Sequence, residues 1–179
     1  MNASLLLIIL TQQRLNCKKE ITVYPRNGRI SKMKCVFLIA CVNKKKTSKM
    51  PAAKLYVSDW FQKASRLVKA TGHPWFILSA KHGLLDPDKT IDPYNQTLNG
   101  MPSGMRRAWA EKVKMQMETE SKFHCADAVV ILAGENYREN LMPYLEKRFA
   151  NVTIPMKGLR IGEQLRWLKD ANIKNILPQ

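Results

Sequence analysis

Three runs of strand length, apolar from end to end, constrain this chain more than any other feature. They are residues 34–42 (KCVFLIACV), 75–79 (WFILS) and 128–133 (AVVILA). A strand with one face in water alternates apolar and polar residues. A run without alternation needs cover on both faces, as in a parallel sheet with helices on either side. The intervening segments supply the cover. Leu55, Trp60, Phe61, Ala64, Leu67 and Val68 recur at helical spacing, and Thr71-Gly72 stops that helix. Met105, Ala108, Trp109, Val113 and Met117 form a second stripe within a helix expected over 102–122. A third helix is expected over 136–149, with Pro143 kinking or restarting it. A short fourth strand follows at 152–154, then a last helix over 161–172 that buries Leu165, Trp167 and Leu168. The expectation is an α/β fold of three layers, α/β/α, with a central, mostly parallel four-stranded sheet.

The chain has 179 residues, the size of one domain, and can bury enough surface to fold without disulfide or metal. Residues 33–179 read as a single α/β domain. Residues 1–32 read as a poorly ordered basic extension, with Met33 a candidate for the natural start. The apolar run at 4–10 is too short to span a bilayer and lacks the flanks of a signal peptide. Cys17, Cys35, Cys41 and Cys125 form no CxxC pair, so no zinc ribbon is expected, and a reducing cytoplasm suits them. No metal site and no cofactor are expected. The chain carries neither a P-loop nor a G-x-G-x-x-G turn, which disfavours a nucleotide-driven motor or a dinucleotide enzyme.

In parallel sheets ligands bind beyond the carboxyl ends of the strands. Four loops meet there: 43–46, 79–94, 134–137 and 155–162. The densest in chemistry is 79–94. Ser79, Lys81, His82, Gly83, Asp86, Asp92 and Tyr94 place a cation, an imidazole, carboxylates and a phenol on a path stiffened by Gly83 and two prolines. The plain alternative is a rigid loop whose leucines plug the core. Gly134, Glu135 and Tyr137 open the helix after the third strand, where free N–H groups can hold an anion, though Glu135 opposes one. Asn43 and Lys44 open a lysine run suited to phosphates, and Arg160 stands at the entry of the last helix. Cys41 reads as core rather than nucleophile.

Thirty Lys and Arg against fourteen Asp and Glu give a net charge of +16 and a pI near 9.9. A field of that sign draws polyanions, and nucleic acid or a phosphorylated ligand is the expected partner. The alternative is a merely basic surface.

The stretch LSAKHGLLDPDKTIDPYNQTL (78–98) resembles the signature of the YaaA peroxide-stress family, sharing Leu78, Ser79, Gly83, Leu85, Pro87, Pro93 and Tyr94. Residues 132–137 (LAGENY) are similar to that family's second motif. The stretch is also similar to short phage- and plasmid-borne domains with the form SAKHGLL…PY and a closing GIGEQL-like segment, here 160–165. The likeness covers about 34–168. It implies a core of the uracil-DNA-glycosylase type, association with DNA rather than RNA, and N-glycosidic chemistry on a modified base. YaaA chains are larger and have an aromatic residue where His82 stands, and no acid where Asp92 stands.

Three functions therefore stay open. In the first, a base-releasing enzyme, Asp92 or Glu135 steadies an oxocarbenium ion or orients water. There His82 and Lys81 stabilise the departing base or a phosphate, and Tyr94 or Tyr137 stacks the base. Asn43, Lys44, Ser79, Gly83, Gly134 and Arg160 complete the substrate contacts. The second is a DNA- or RNA-binding module without catalysis. The third is an enzyme of free nucleosides or nucleotides.

Overall fold

The computed structural model describes residues 34–176. The extension expected over 1–32 lies outside the described residues. The fold is α/β, with a mostly parallel central sheet flanked by helices. The sheet has five strands, in the order β4-β3-β1-β6-β7. The three apolar runs form β1 (Cys35–Ala40), β3 (Trp75–Ser79) and β6 (Ala128–Leu132), and β7 (Asn151–Thr153) lies outside β6. All four run parallel, with Leu38 registered between Phe76 on one side and Ile131 on the other.

The expected count of four strands is corrected to five by β4 (Gly83–Leu85), which folds back antiparallel on β3. Two very short strands, β2 (Met50–Pro51) and β5 (Thr90–Ile91), pair separately. The segment 80–104 thus holds β4 and β5, and it also carries a 3₁₀ turn at Leu98–Gly100.

Every residue of β1 and β6 is buried, which explains why neither alternates. The cover comes from helices placed by connection handedness. From β1 the chain moves one way to β3, then returns across β1 to β6, so right-handed crossovers put the two connecting helices on opposite faces. On one face α2 (Asp59–Ala70) packs on β1 and on α7 (Ile161–Ile176). On the other, α3 (Ser103–Thr119) packs on β4. Behind α3, the four-residue α4 (Ser121–His124) meets α6 (Met142–Arg148) where Arg148 donates to the Phe123 carbonyl at 2.8 Å. A short α1 (Ala52–Leu55) precedes α2, and α5 (Glu135–Arg138) follows β6.

The helix ends follow from local chemistry. Ser58 caps α2 by accepting the Phe61 N–H at 3.1 Å, and Gly72 leaves it at φ 69°. Glu163 reaches back to the Arg160 N–H at 2.7 Å, half of a capping box for α7. The helix expected over 136–149 is two helices, because Pro143 cannot continue one and instead sits in the first turn of α6. The helix expected over 102–122 breaks at Glu120, between α3 and α4. Trp109, Val113 and Met117 are its buried stripe. Met105 (57% exposed) and Ala108 face outward, and Leu165 and Trp167 of α7 are only half-buried. Among the described residues no helix is long and apolar enough to cross a membrane.

Candidate functional site

The strand order reverses between β1 and β6, and the crevice at the carboxyl ends of the strands there is the usual ligand position in such sheets. The wall on the β3 side is built by a tight hairpin. Ser79 pairs with Gly83 across a three-residue turn, and Ser79 Oγ accepts the His82 N–H at 3.0 Å. Gly83 closes the turn at φ 77°, and a Cβ there would run into the Gln116 side-chain oxygen. One stripe of α3 clamps this hairpin. Trp109 Nε1 donates to the Ser79 carbonyl at 2.8 Å, and Lys112 Nζ to the Lys81 carbonyl at 3.2 Å. Gln116 takes the Leu84 N–H at 2.7 Å and donates to the His82 carbonyl at 3.1 Å. Residues 109, 112 and 116 share a helix face, so a single amphipathic element fixes the turn.

Below the hairpin lies a chain of hydroxyls. The Tyr94 hydroxyl is 2.7 Å from Ser79 Oγ and 2.7 Å from the Tyr56 hydroxyl. Beside it, Cys41 Sγ accepts the Ala80 N–H at 3.4 Å and lies 3.3 Å from the Tyr137 hydroxyl. Tyr137 also receives the Leu98 N–H at 3.5 Å, and its ring stands edge-on to Trp109. Burial, above all, pushes the phenols of Tyr56, Tyr94 and Tyr137 well above their ordinary range, so all three stay protonated near neutrality. At the far end of β1 the Cys35 thiol is pushed up to about 12 by burial and behaves as packing.

Cations gather on the Tyr94 ring. Lys45 Nζ is 4.3 Å from its centroid and 5.6 Å from that of Tyr56, and Lys81 Nζ is 5.9 Å from Tyr94. The His82 ring meets Tyr94 edge-on at 5.3 Å, and its Nε2 is shielded from solvent without a hydrogen-bond partner. Burial, then Lys81, Lys112 and Lys89, lower the His82 pKa, so the ring is neutral at pH 7. Burial likewise lowers the Lys45 ammonium, with the nearby Cys41 acting the other way. Among the described residues neither Lys45 nor Lys81 forms an ion pair with a carboxylate.

The residues singled out from the sequence divide into two groups. Ser79, Lys81, His82, Gly83 and Tyr94 form one contiguous wall, and Tyr137 reaches the same floor through Cys41. Tyr137, however, is buried against Trp109, so its ring offers no free face for stacking. Asp92 and Glu135 stand apart. Asp92 is 73% exposed, 4.0 Å from Lys49, and Glu135 is 75% exposed, 3.9 Å from Arg138. Asn43, Lys44, Gly134 and Arg160 are exposed on the neighbouring loops. Tyr56 and Gln116 were missed, Trp109 was read only as part of an apolar stripe, and Lys45 only as one of a lysine run suited to phosphates. Lys45 is hidden in a run of three lysines. Tyr56 precedes its helix, and its partner lies 38 positions onward. Only the polar Lys112 and Gln116, flanking the apolar stripe of α3, hinted at a clamp. Among the described residues no cluster of His, Cys, Asp and Glu could hold a metal ion. A shallow depression of about 240 Å³ lies away from the crevice, against β4, lined by Phe76, Leu84, Asp86, Lys89, Gln116, Thr119 and Glu120.

The fold and the site define the class: an α/β domain with a mostly parallel sheet, whose β1 and β3 carboxyl ends carry a phenol, an imidazole and two lysines. The chain belongs to the family described as a family of unknown function (DUF6884), whose model matches residues 36–170. It is similar to the uncharacterized protein YfjM of Bacillus subtilis (strain 168), with 33% identity over 148 residues, covering 78% of this chain and 95% of that protein. No solved structure matches the chain at a significant level.

Proposed function

We propose that the chain is a nucleic-acid-associated cytoplasmic protein that takes the phosphate backbone on its cationic rim and presents a base to Tyr94 and His82. The observation that carries this reading is the convergence of Lys45 and Lys81 on one tyrosine ring without a carboxylate partner. Like charges held together repel, and a bound anion relieves that cost. Lys44 and Arg160, exposed on adjacent loops, extend the same field, and most of the +16 excess belongs to the described domain. The likeness of 78–98 to the YaaA signature supports DNA over RNA as partner.

The test is duplex and single-stranded DNA affinity against salt. Each phosphate contact contributes a slope of roughly 0.7–0.9 in log K against log salt, so Lys45→Ala with Lys81→Ala removes up to about 1.8. Affinity indifferent to salt removes the reading, and binding confined to free nucleotides in high salt moves it to a small-molecule enzyme.

A second reading, N-glycosidic release of a modified base, is favoured by the shielded, unpartnered Nε2 of His82 beside Tyr94. A neutral imidazole there can hydrogen-bond a departing base. Asp92 or Glu135 supplies the carboxylate, brought inward by the substrate. Asp92→Asn and His82→Ala then abolish base release, followed by mass spectrometry, while the protein stays folded. Unchanged release in both variants rejects this mechanism and leaves a binding module.

A further inference from the structure

Lys45 is held differently from the lysines on either side. Its backbone bridges to Tyr56, with the Lys46 N–H on the Leu55 carbonyl at 2.9 Å and the Val57 N–H on the Lys44 carbonyl at 3.0 Å. That short extended pairing alternates the side chains. Lys44 and Lys46 are exposed, and Lys45 is half-buried over two tyrosine rings. Its ammonium donates to the Asn43 carbonyl at 3.3 Å, not to an acid. The groups around it are the rings of Tyr56 and Tyr94 and the sulfur of Cys41. A second cation, Lys81, lies 5.9 Å from the centroid of the same Tyr94 ring. An amine stripped of water on one side and unpaired with a carboxylate gives up its proton more readily than a surface lysine, with the nearby Cys41 acting the other way. The lowered pKa of Lys45 agrees with that arrangement.

We propose that Lys45 is a nucleophilic amine that forms an imine with a phosphorylated aldehyde sugar, the chemistry shared by an abasic site in DNA and free 2-deoxyribose 5-phosphate. The nitrogen lone pair of the neutral amine attacks the aldehyde carbon. Both amine protons then leave with the carbonyl oxygen as one water, and a carbon–nitrogen double bond remains. No oxidant or reductant is needed. Lys81 and Lys44 hold the phosphate that accompanies the aldehyde. This assignment rests on the reading of the rim as a nucleic-acid site.

The full chain is incubated at pH 7.5 with an abasic-site duplex or with 2-deoxyribose 5-phosphate. Cyanoborohydride traps any imine, and the adduct is mapped by peptide mass spectrometry, with DNA binding measured in parallel. The expected result is one adduct, on Lys45, reduced at least tenfold in Lys45→Arg, which keeps the charge, and in Lys45→Met, which keeps the stem. Lys147→Arg, on the distant helix α6, leaves the yield unchanged. Circular dichroism checks that each variant is folded. Adducts spread over lysines by exposure, or a yield unchanged in Lys45→Arg, overturn the proposal. So does DNA binding without any adduct from either probe. A Lys45 adduct from the free sugar with no DNA binding sustains the amine and removes the nucleic-acid reading. Absence of both adduct and binding removes the two together.

Discussion

The two halves of the crevice are built in opposite ways. On the β3 side most polar groups have a fixed neighbour, though the His82 Nε2 has none. The hairpin is clamped by α3, Ser79 and Tyr94 share a hydroxyl contact, and Gly83 leaves no room for another residue. On the β6 side, Gly134, Glu135 and Arg160 lie at the surface, and the exposed Glu135 is only loosely paired with Arg138. Tyr137 crosses from the second half to the first through Cys41, Asn136 bonds Asn99, and Glu139 pairs with Arg106 of α3. The contrast teaches where precision resides. A site able to orient a ligand needs side chains locked by a supporting layer, and only the β3 half has one.

The largest effect expected from breaking this asymmetry is at Gly83. Gly83→Ala meets a strained positive φ and the Gln116 side chain together, and should cost about 3 kcal/mol. Thermal denaturation should show a fall of roughly 10 °C for a domain of this size. Gly134→Ala, with open space around its Cβ, should shift the midpoint little. Next is Tyr94→Phe, which strips a partner from both Ser79 and Tyr56 and should cost about 2 kcal/mol in urea unfolding. Tyr137→Phe loses longer contacts to Cys41 and Leu98 and should cost about half of that.

A smaller effect should come from pH. The His82 pKa is lowered in the folded protein, so between its ordinary value near 6.5 and that lower value the unfolded chain binds more protons. Stability is therefore full above about pH 6.5 and falls as pH drops through that window. A His82→Asn variant should lose that part of the pH dependence in denaturation curves taken from pH 7.5 to 5. The smallest changes belong to the open half. Asp92→Asn and Glu135→Gln should each leave stability within about 0.5 kcal/mol, since both carboxylates are exposed and loosely paired. A large loss at either would mean that the contrast between the halves is wrong.

The same contrast explains what could be read in advance. The strands β1, β3 and β6 were legible because burial on both faces writes an unbroken apolar run. β4 was not, since Gly83-Leu84-Leu85 is three residues within a polar loop, and its ladder exists only once β3 is present. Ser79, Lys81, His82, Gly83 and Tyr94 were legible as a group because they are close in sequence. Lys45 and Tyr56 were not, because which lysine of a run turns inward depends on a backbone bridge to a residue eleven positions away. Asp92 and Glu135 were chosen for their chemistry. A carboxylate's direction, inward or toward a surface lysine, is decided by tertiary packing that local spacing does not encode.

The described sheet ends at both margins in strands of only three residues, β4 and β7. An open margin is where a foreign strand can add itself to a fold, and each extra residue of free ladder strengthens that invitation. Margins this brief, one of them turned back by a glycine hairpin, give a visiting chain little to grip. Copies of this chain can therefore stand side by side with little tendency to knit into fibres.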